Sequence, residues 1–197
     1  MTQAVAVAPP AAHRGMRKPS LLGVGVIIWL GSELMFFASL FAAYFTIRAH
    51  DGSPWPPADV HLDYLQSGAF TLLLVLSSVT CQKALYEAEQ GRRRSARWWL
   101  VLTIIMGASF VLNQGVEWFT VSFGPGTNAY GSMFFLMTGL HGLHVILGLV
   151  ALTAMLGRLA GKAGDPGELD AFQAVSYYWH FVDVVWIFLY ASLFYVH

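Results

Sequence analysis

Apolar residues arrive in five long blocks separated by short polar punctuation, and that rhythm predicts five membrane-crossing helices. The blocks run from about Leu21 to Thr46, Leu65 to Leu85, Trp98 to Val121, Tyr130 to Leu156 and Phe172 to Val196. Each exceeds the roughly 20 residues that a helix rising about 1.5 Å per residue needs to cross a bilayer core. The links carry turn chemistry: Gly52-Ser53-Pro54-Trp55-Pro56-Pro57, Gly91 to Ala96, Gly124-Pro125-Gly126-Thr127-Asn128, and Gly161 to Gly167. Links this short make sequential helices antiparallel neighbours. The stretch ahead of the first block, Met1 to Pro19, is rich in Ala and Pro and lacks the charged-then-apolar order of a signal peptide. It reads as a disordered tail. The expected fold is all-α, a polytopic membrane helical bundle over 20–197 behind a tail over 1–19.

Composition sharpens this picture. The chain is 56% hydrophobic and 15% aromatic, and its 11% charged content is far below the roughly 25% of soluble domains. Net charge is zero, but the charges are segregated. Of 11 Lys and Arg residues only Arg48 falls on one side; Arg14, Arg17, Lys18, Lys83, Arg92, Arg93, Arg94, Arg97, Arg158 and Lys162 fall on the other. The positive-inside rule then makes the N-terminus cytoplasmic and the C-terminus external. Cys81 is the lone cysteine, so no disulfide framework arises.

Against that background the polar residues inside the blocks stand out. Tyr177-Tyr178-Trp179-His180-Phe181-Val182-Asp183-Val184-Val185-Trp186 places a histidine and an aspartate near the middle of the last span. A charge at that depth costs about 2.5–3.5 kcal/mol on insertion scales, so such residues face protein and have partners. Three residues apart, His180 and Asp183 share a helical face and can bond each other or a neighbouring helix. Glu33 sits in Trp29-Leu30-Gly31-Ser32-Glu33-Leu34-Met35-Phe36-Phe37, and His141 and His144 in Thr138-Gly139-Leu140-His141-Gly142-Leu143-His144. Counting inward from the span ends puts all five at one depth, on three helices. A carboxyl there is neutral or held by a donor such as His144. Gly139 and Gly142 leave room for close helix approach beside the histidines.

Three readings compete for these residues. They can be interhelical fasteners. Glu33 can relay protons. They can hold a metal or haem, as bundle cores do, but three span histidines supply at most one axial pair, and no cysteine or further carboxylate completes a metal shell. Gln114 and Glu117 end the third span, where a solvated helix end or a contact to a partner subunit accounts for them. Arg92, Arg93 and Arg94 are topology determinants that also suit anionic lipid head groups. Trp98, Trp99, Trp118, Tyr130 and Tyr195 near span ends read as an interfacial belt.

The blocks around Ser32-Glu33-Leu34-Met35-Phe36-Phe37, Thr138 to Val145 and Trp179 to Trp186, in that order, resemble subunit III of haem-copper oxidases. The Gln114/Glu117-Trp118 segment and the Trp55-Pro56-Pro57 loop resemble it too, so the likeness covers about Val24 to Val196. The resemblance implies a helical membrane bundle on the flank of catalytic subunit I, without haem or copper of its own; those cofactors belong to partner subunits. It matches Glu33 to the family's buried, carbodiimide-reactive glutamate, and implies support of proton uptake and protection of subunit I from turnover-linked inactivation. Bound phospholipid is expected, but many members have two further helices that form a lipid-holding cleft, and their residues cannot be carried over. The short five-span form looks like that of actinobacterial cytochrome c oxidases. The implied partners are subunits I and II, other oxidase subunits, a cytochrome bc-type complex and membrane lipid, with no nucleic acid, in a bacterial plasma membrane. Rival readings are subunit III of a quinol oxidase, a small protein associated with nitric oxide reductase, a haem-binding electron carrier and a proton-coupled transporter. The last lacks the paired broken helices of that class.

Overall fold

The computed structural model describes residues 21–52, 54–57, 64–161 and 167–194. The expected tail over 1–19 and its basic residues, together with Lys162 and Tyr195, lie outside the described residues. Five helices follow one another: α1 (Leu21–Asp51), α2 (Tyr64–Glu89), α3 (Arg93–Thr120), α4 (Ala129–Ala160) and α5 (Glu168–Phe194). All five are long and apolar enough to cross a membrane, and the described residues contain no strand.

Most helix ends overrun the apolar blocks into flanking polar residues, several of them Arg and Glu, which are good helix formers. Arg48, His50 and Asp51 extend α1, Glu87 and Glu89 extend α2, and Arg93 to Arg97 begin α3. Glu168 and Asp170 open α5, where carboxylates complement the exposed N–H groups of a first turn. The Asn128 side chain caps α4 by accepting from the Gly131 N–H at 2.6 Å. Between α2 and α3, Gly91 takes φ 74°, a left-handed conformation that L side chains resist. Around it the Arg92 N–H donates to Glu87 O at 2.9 Å and the Gly91 N–H to Ala88 O at 2.9 Å, a closing pattern that satisfies the last carbonyls of α2.

Helices α2, α3, α4 and α5 close into a ring, each touching the next and α5 returning to α2. The first helix departs from the expected order. It packs on α5 and α4 and makes no contact with α2. The α1–α2 link is the longest of the chain, and its Trp55 anchors it over the far end of the bundle. The Trp55 indole N–H donates to the Tyr44 hydroxyl at 2.8 Å, which donates to Ser192 O on α5 at 3.0 Å. Tyr130, expected in the interfacial belt, is fully buried here, with its ring edge-on to Trp55 and its hydroxyl donating to Leu193 O at 3.0 Å. Trp98 and Trp118 are exposed and Trp99 partly so.

The core is built on α5, whose Trp179 and Trp186 are the largest fully buried side chains. Trp179 is seated against glycine on two neighbours. A Cβ added at Gly107 of α3 would come within 2.6 Å of its ring, and one at Gly148 of α4 within 2.9 Å. Its N–H donates to Ser77 of α2 at 2.9 Å. These two glycines, rather than Gly139 and Gly142, permit the closest approach. Gly139 faces only Trp118, at 3.2 Å, and Gly142 has open space.

Candidate functional site

The five intramembrane groups do not bond together as one cluster. They form three separate arrangements, because α5 lies between α1 and α2 and so divides the partners of Glu33 from those of Asp183.

The first joins α1 to α4. Glu33 Oε2 lies 3.2 Å from His144 Nε2, with the side chains 21% and 12% exposed respectively. His144 Nδ1 is 2.7 Å from Leu140 O, one turn back on α4. A carbonyl only accepts, so Nδ1 carries hydrogen and donates to it. One further proton must then lie between Nε2 and the Glu33 carboxyl, either on the acid or on the imidazolium. The pair therefore shares a single proton and is neutral overall. Phe37 meets the His144 ring edge-on at 5.0 Å, and Phe36 lies 6.4 Å from it. The Tyr178 hydroxyl of α5 donates to His144 O at 2.9 Å, and the Tyr178 ring stacks on Trp29 of α1 at 5.4 Å. One turn from Glu33, Val26, Trp29, Leu147, Ala151, Ala174, Val175 and Tyr178 line an apolar groove of about 330 Å³.

The second joins α5 to α2. His180 and Asp183 do not bond directly; Ser78 of α2 stands between them, bonded to Asp183 Oδ2 and 2.8 Å from His180 Nδ1. His180 Nε2 is 3.2 Å from both Ser176 Oγ and Gln82 Oε1. Ser78 was not singled out from sequence, although a run of Ser77, Ser78, Thr80 and Gln82 in an apolar span was the signal available.

The third is His141 alone. It is buried, stacked on Trp186 at 4.8 Å and edge-on to Phe110 at 6.1 Å, and neither ring nitrogen has a hydrogen-bond partner among the described residues. It is no polar fastener. The three span histidines thus have three unrelated surroundings, and no three His, Cys, Asp or Glu side chains among the described residues gather to hold a metal ion.

Gln114 and Glu117, expected at a solvated end or a partner contact, are instead buried against α2. Ser67 donates to Glu117 Oε1 at 3.0 Å and Gln114 Nε2 to Glu117 Oε2 at 3.4 Å, while Gln66 donates to Asn113 at 2.6 Å. The helix end is solvated in sequence terms, but the α2–α3 contact reaches it. The arginine cluster is largely committed as well. Arg92 forks onto Glu87 at 2.6 and 3.0 Å. Arg93 forks onto Glu168 at 2.7 and 3.1 Å and donates to Arg158 O and Leu159 O at 3.0 and 3.3 Å. Of the three, only Arg94 has no partner among the described residues, beside an open pocket with Ser95 and Trp98.

Five apolar spans and a carboxyl–imidazole pair between two of them define a polytopic α-helical membrane protein. The family model for Cytochrome c oxidase subunit III matches residues 11–197, and the chain belongs to that family. It is 44% identical over 202 residues to a probable cytochrome c oxidase subunit 3 of Mycobacterium tuberculosis, covering 100% of both chains. It is 40% identical to cytochrome c oxidase subunit 3 of Corynebacterium diphtheriae over 205 residues, again covering 100% of both. Against cytochrome c oxidase subunit 3 of Gallus gallus the identity is 37% over 191 residues, 94% of this chain and 71% of that protein.

Proposed function

We propose that this chain is the accessory, non-redox subunit III of a proton-pumping aerobic cytochrome c oxidase in a bacterial plasma membrane. Dioxygen is reduced at haem and copper in the catalytic partner, subunit I, and this chain lines the flank of subunit I, supports its proton uptake and stability, and binds lipid. The family membership supports the oxidase assignment. The observation that carries the finer role is the Glu33–His144 pair, a carboxyl and an imidazole holding one proton between them in the α1–α4 seam. Because the pair is neutral, it can sit at that depth without the cost of an isolated charge. Because the proton is shared, the carboxyl is kept near a base that can take the proton or return it.

A partly exposed carboxyl next to an apolar groove is also what a hydrophobic carbodiimide needs, since the reagent partitions into lipid, takes the proton of the acid and is then attacked at carbon by the carboxylate. Treating the native complex with labelled reagent is expected to mark this chain at Glu33 and to leave Glu33→Gln unlabelled. Undiminished labelling of that variant would remove Glu33 from the role. Copurification tests the assembly itself: solubilised native membranes are expected to yield the chain together with a haem-bearing subunit I and a copper-bearing subunit II. A haem Soret band retained by this chain alone would favour the electron-carrier reading.

A further inference from the structure

Beyond the Glu33–His144 pair, the bundle interior holds a second set of groups arranged for a proton. The Asp183 residue is 3% exposed, and its Oδ1 has no partner among the described residues. Its single bonded neighbour is Ser78. The Cys81 thiol of α2, bonded to Ser176, interacts electrostatically with Asp183, which has His180 one turn away on α5. On α1 and α4 the ionisable side chains Glu33 and His144 are bonded to each other, while His141 lies against Trp186. Among the described residues no cation pairs with Asp183, and the basic residues of α2 and its turn, Lys83 and Arg92, are both paired with Glu87. An ionised carboxylate held by one hydroxyl, without a counter-charge and with one oxygen bare, is an expensive object in an apolar interior.

We propose that Asp183, Ser78 and His180 form an intramembrane proton-accepting site in the α2–α5 seam, loaded from the exposed Gln82 side of α2. The hydrogen-bond chain has two polarities, and one proton converts the first into the second. With Asp183 ionised, His180 Nδ1–H donates to Ser78 Oγ, Ser78 O–H donates to Asp183 Oδ2, and His180 Nε2 carries a lone pair. A proton arriving at Nε2 makes the imidazolium. Nδ1 then releases its proton to Ser78 Oγ, and Ser78 releases its own to Asp183 Oδ2. The loaded chain runs the other way: Asp183 O–H to Ser78, Ser78 O–H to His180 Nδ1, and His180 Nε2–H to Gln82 Oε1 at 3.2 Å. One proton has been gained, both transfers inside the chain follow existing hydrogen bonds, and the loaded form carries no charge. Gln82 is exposed about two turns before Gly91, toward the end of the bundle where the arginines cluster. The site is separate from Glu33, and its test does not depend on the identity of the surrounding complex.

Infrared spectroscopy of the native complex in H2O and D2O reads this directly. The expected result is an acid carbonyl stretch that shifts on carboxyl-labelling of aspartate with carbon-13, is lost in Asp183→Asn and is retained in Glu33→Gln. In Ser78→Ala the same band is expected to move to higher frequency, because its hydrogen bond is gone, and this arm remains available if Asp183→Asn fails to assemble. His180→Phe is expected to slow the exchange of the band in D2O. The proposal is overturned if no aspartate band is present, if the band survives Asp183→Asn, or if it neither moves in Ser78→Ala nor exchanges more slowly in His180→Phe.

Discussion

Three histidines lie deep in the spans, and what each does is decided by the atoms its ring nitrogens meet. His144 is fixed by the Leu140 carbonyl on one nitrogen and by Glu33 on the other. His180 is fixed by Ser78 and by Gln82 and Ser176. His141 is held only by ring contacts, so its polar atoms cost desolvation and recover nothing. Replacing it with Phe removes two unsatisfied groups and keeps a flat ring against Trp186. We expect His141→Phe to change the unfolding midpoint in detergent little, within about 1 kcal/mol, since deleting an unpaired polar group is close to neutral. His144→Phe leaves the Glu33 carboxyl without its partner and is expected to cost about 1–3 kcal/mol. The two variants carry the same chemical change three residues apart. A larger loss at His141 than at His144 would contradict the bonding assigned to each.

At the scale of elements, α5 organises the bundle because its bulk is met by absence of bulk on its neighbours. Gly107 and Gly148 allow Trp179 to lie against the backbones of α3 and α4. A methyl at Gly107 would sit 2.6 Å from the indole, and moving a ring packed on all sides costs about 1–3 kcal/mol. Gly107→Ala is therefore expected to lower the unfolding midpoint and to reduce recovery of assembled protein. Gly142→Ala serves as its control: with nothing within 4 Å of the new Cβ, the better helix former is expected to be neutral or to stabilise by up to about 1 kcal/mol. The spans themselves were legible from the chain because a run of apolar residues needs no partner to be recognised. Which helix touches which was not legible. Neither the docking of α1 on α5 instead of α2 nor the seat of Trp179 leaves a periodic trace, since both depend on shape across helices distant in sequence. The same reason hid Ser78, an ordinary small polar residue until Asp183 and His180 arrive opposite it. It also hid the burial of Glu117, whose position near a helix end suggested solvent.

The whole molecule is closed at one end by charge and at the other by aromatic rings. Arg93 ties the start of α3 to the end of α4 and the start of α5, while Trp55, Tyr44 and Tyr130 knit the opposite end. By the positive-inside rule the Arg93 end is the one expected to stay on the cytoplasmic side during insertion. The aromatic end, with Arg48 as its only Lys or Arg among the described residues, is the one expected to be translocated. That orientation is testable with single cysteines, because Cys81 is buried and bonded to Ser176 and is thereby shielded from an impermeant thiol reagent. Gly126 is exposed with open space around it, and Gln90 is exposed at the α2–α3 turn. In intact cells Gly126→Cys is expected to be labelled and Gln90→Cys to be spared, with both labelled once the membrane is opened. The reverse pattern would invert the bundle, place the mouth of the Asp183 site on the external face, and require its proton to come from outside the cell.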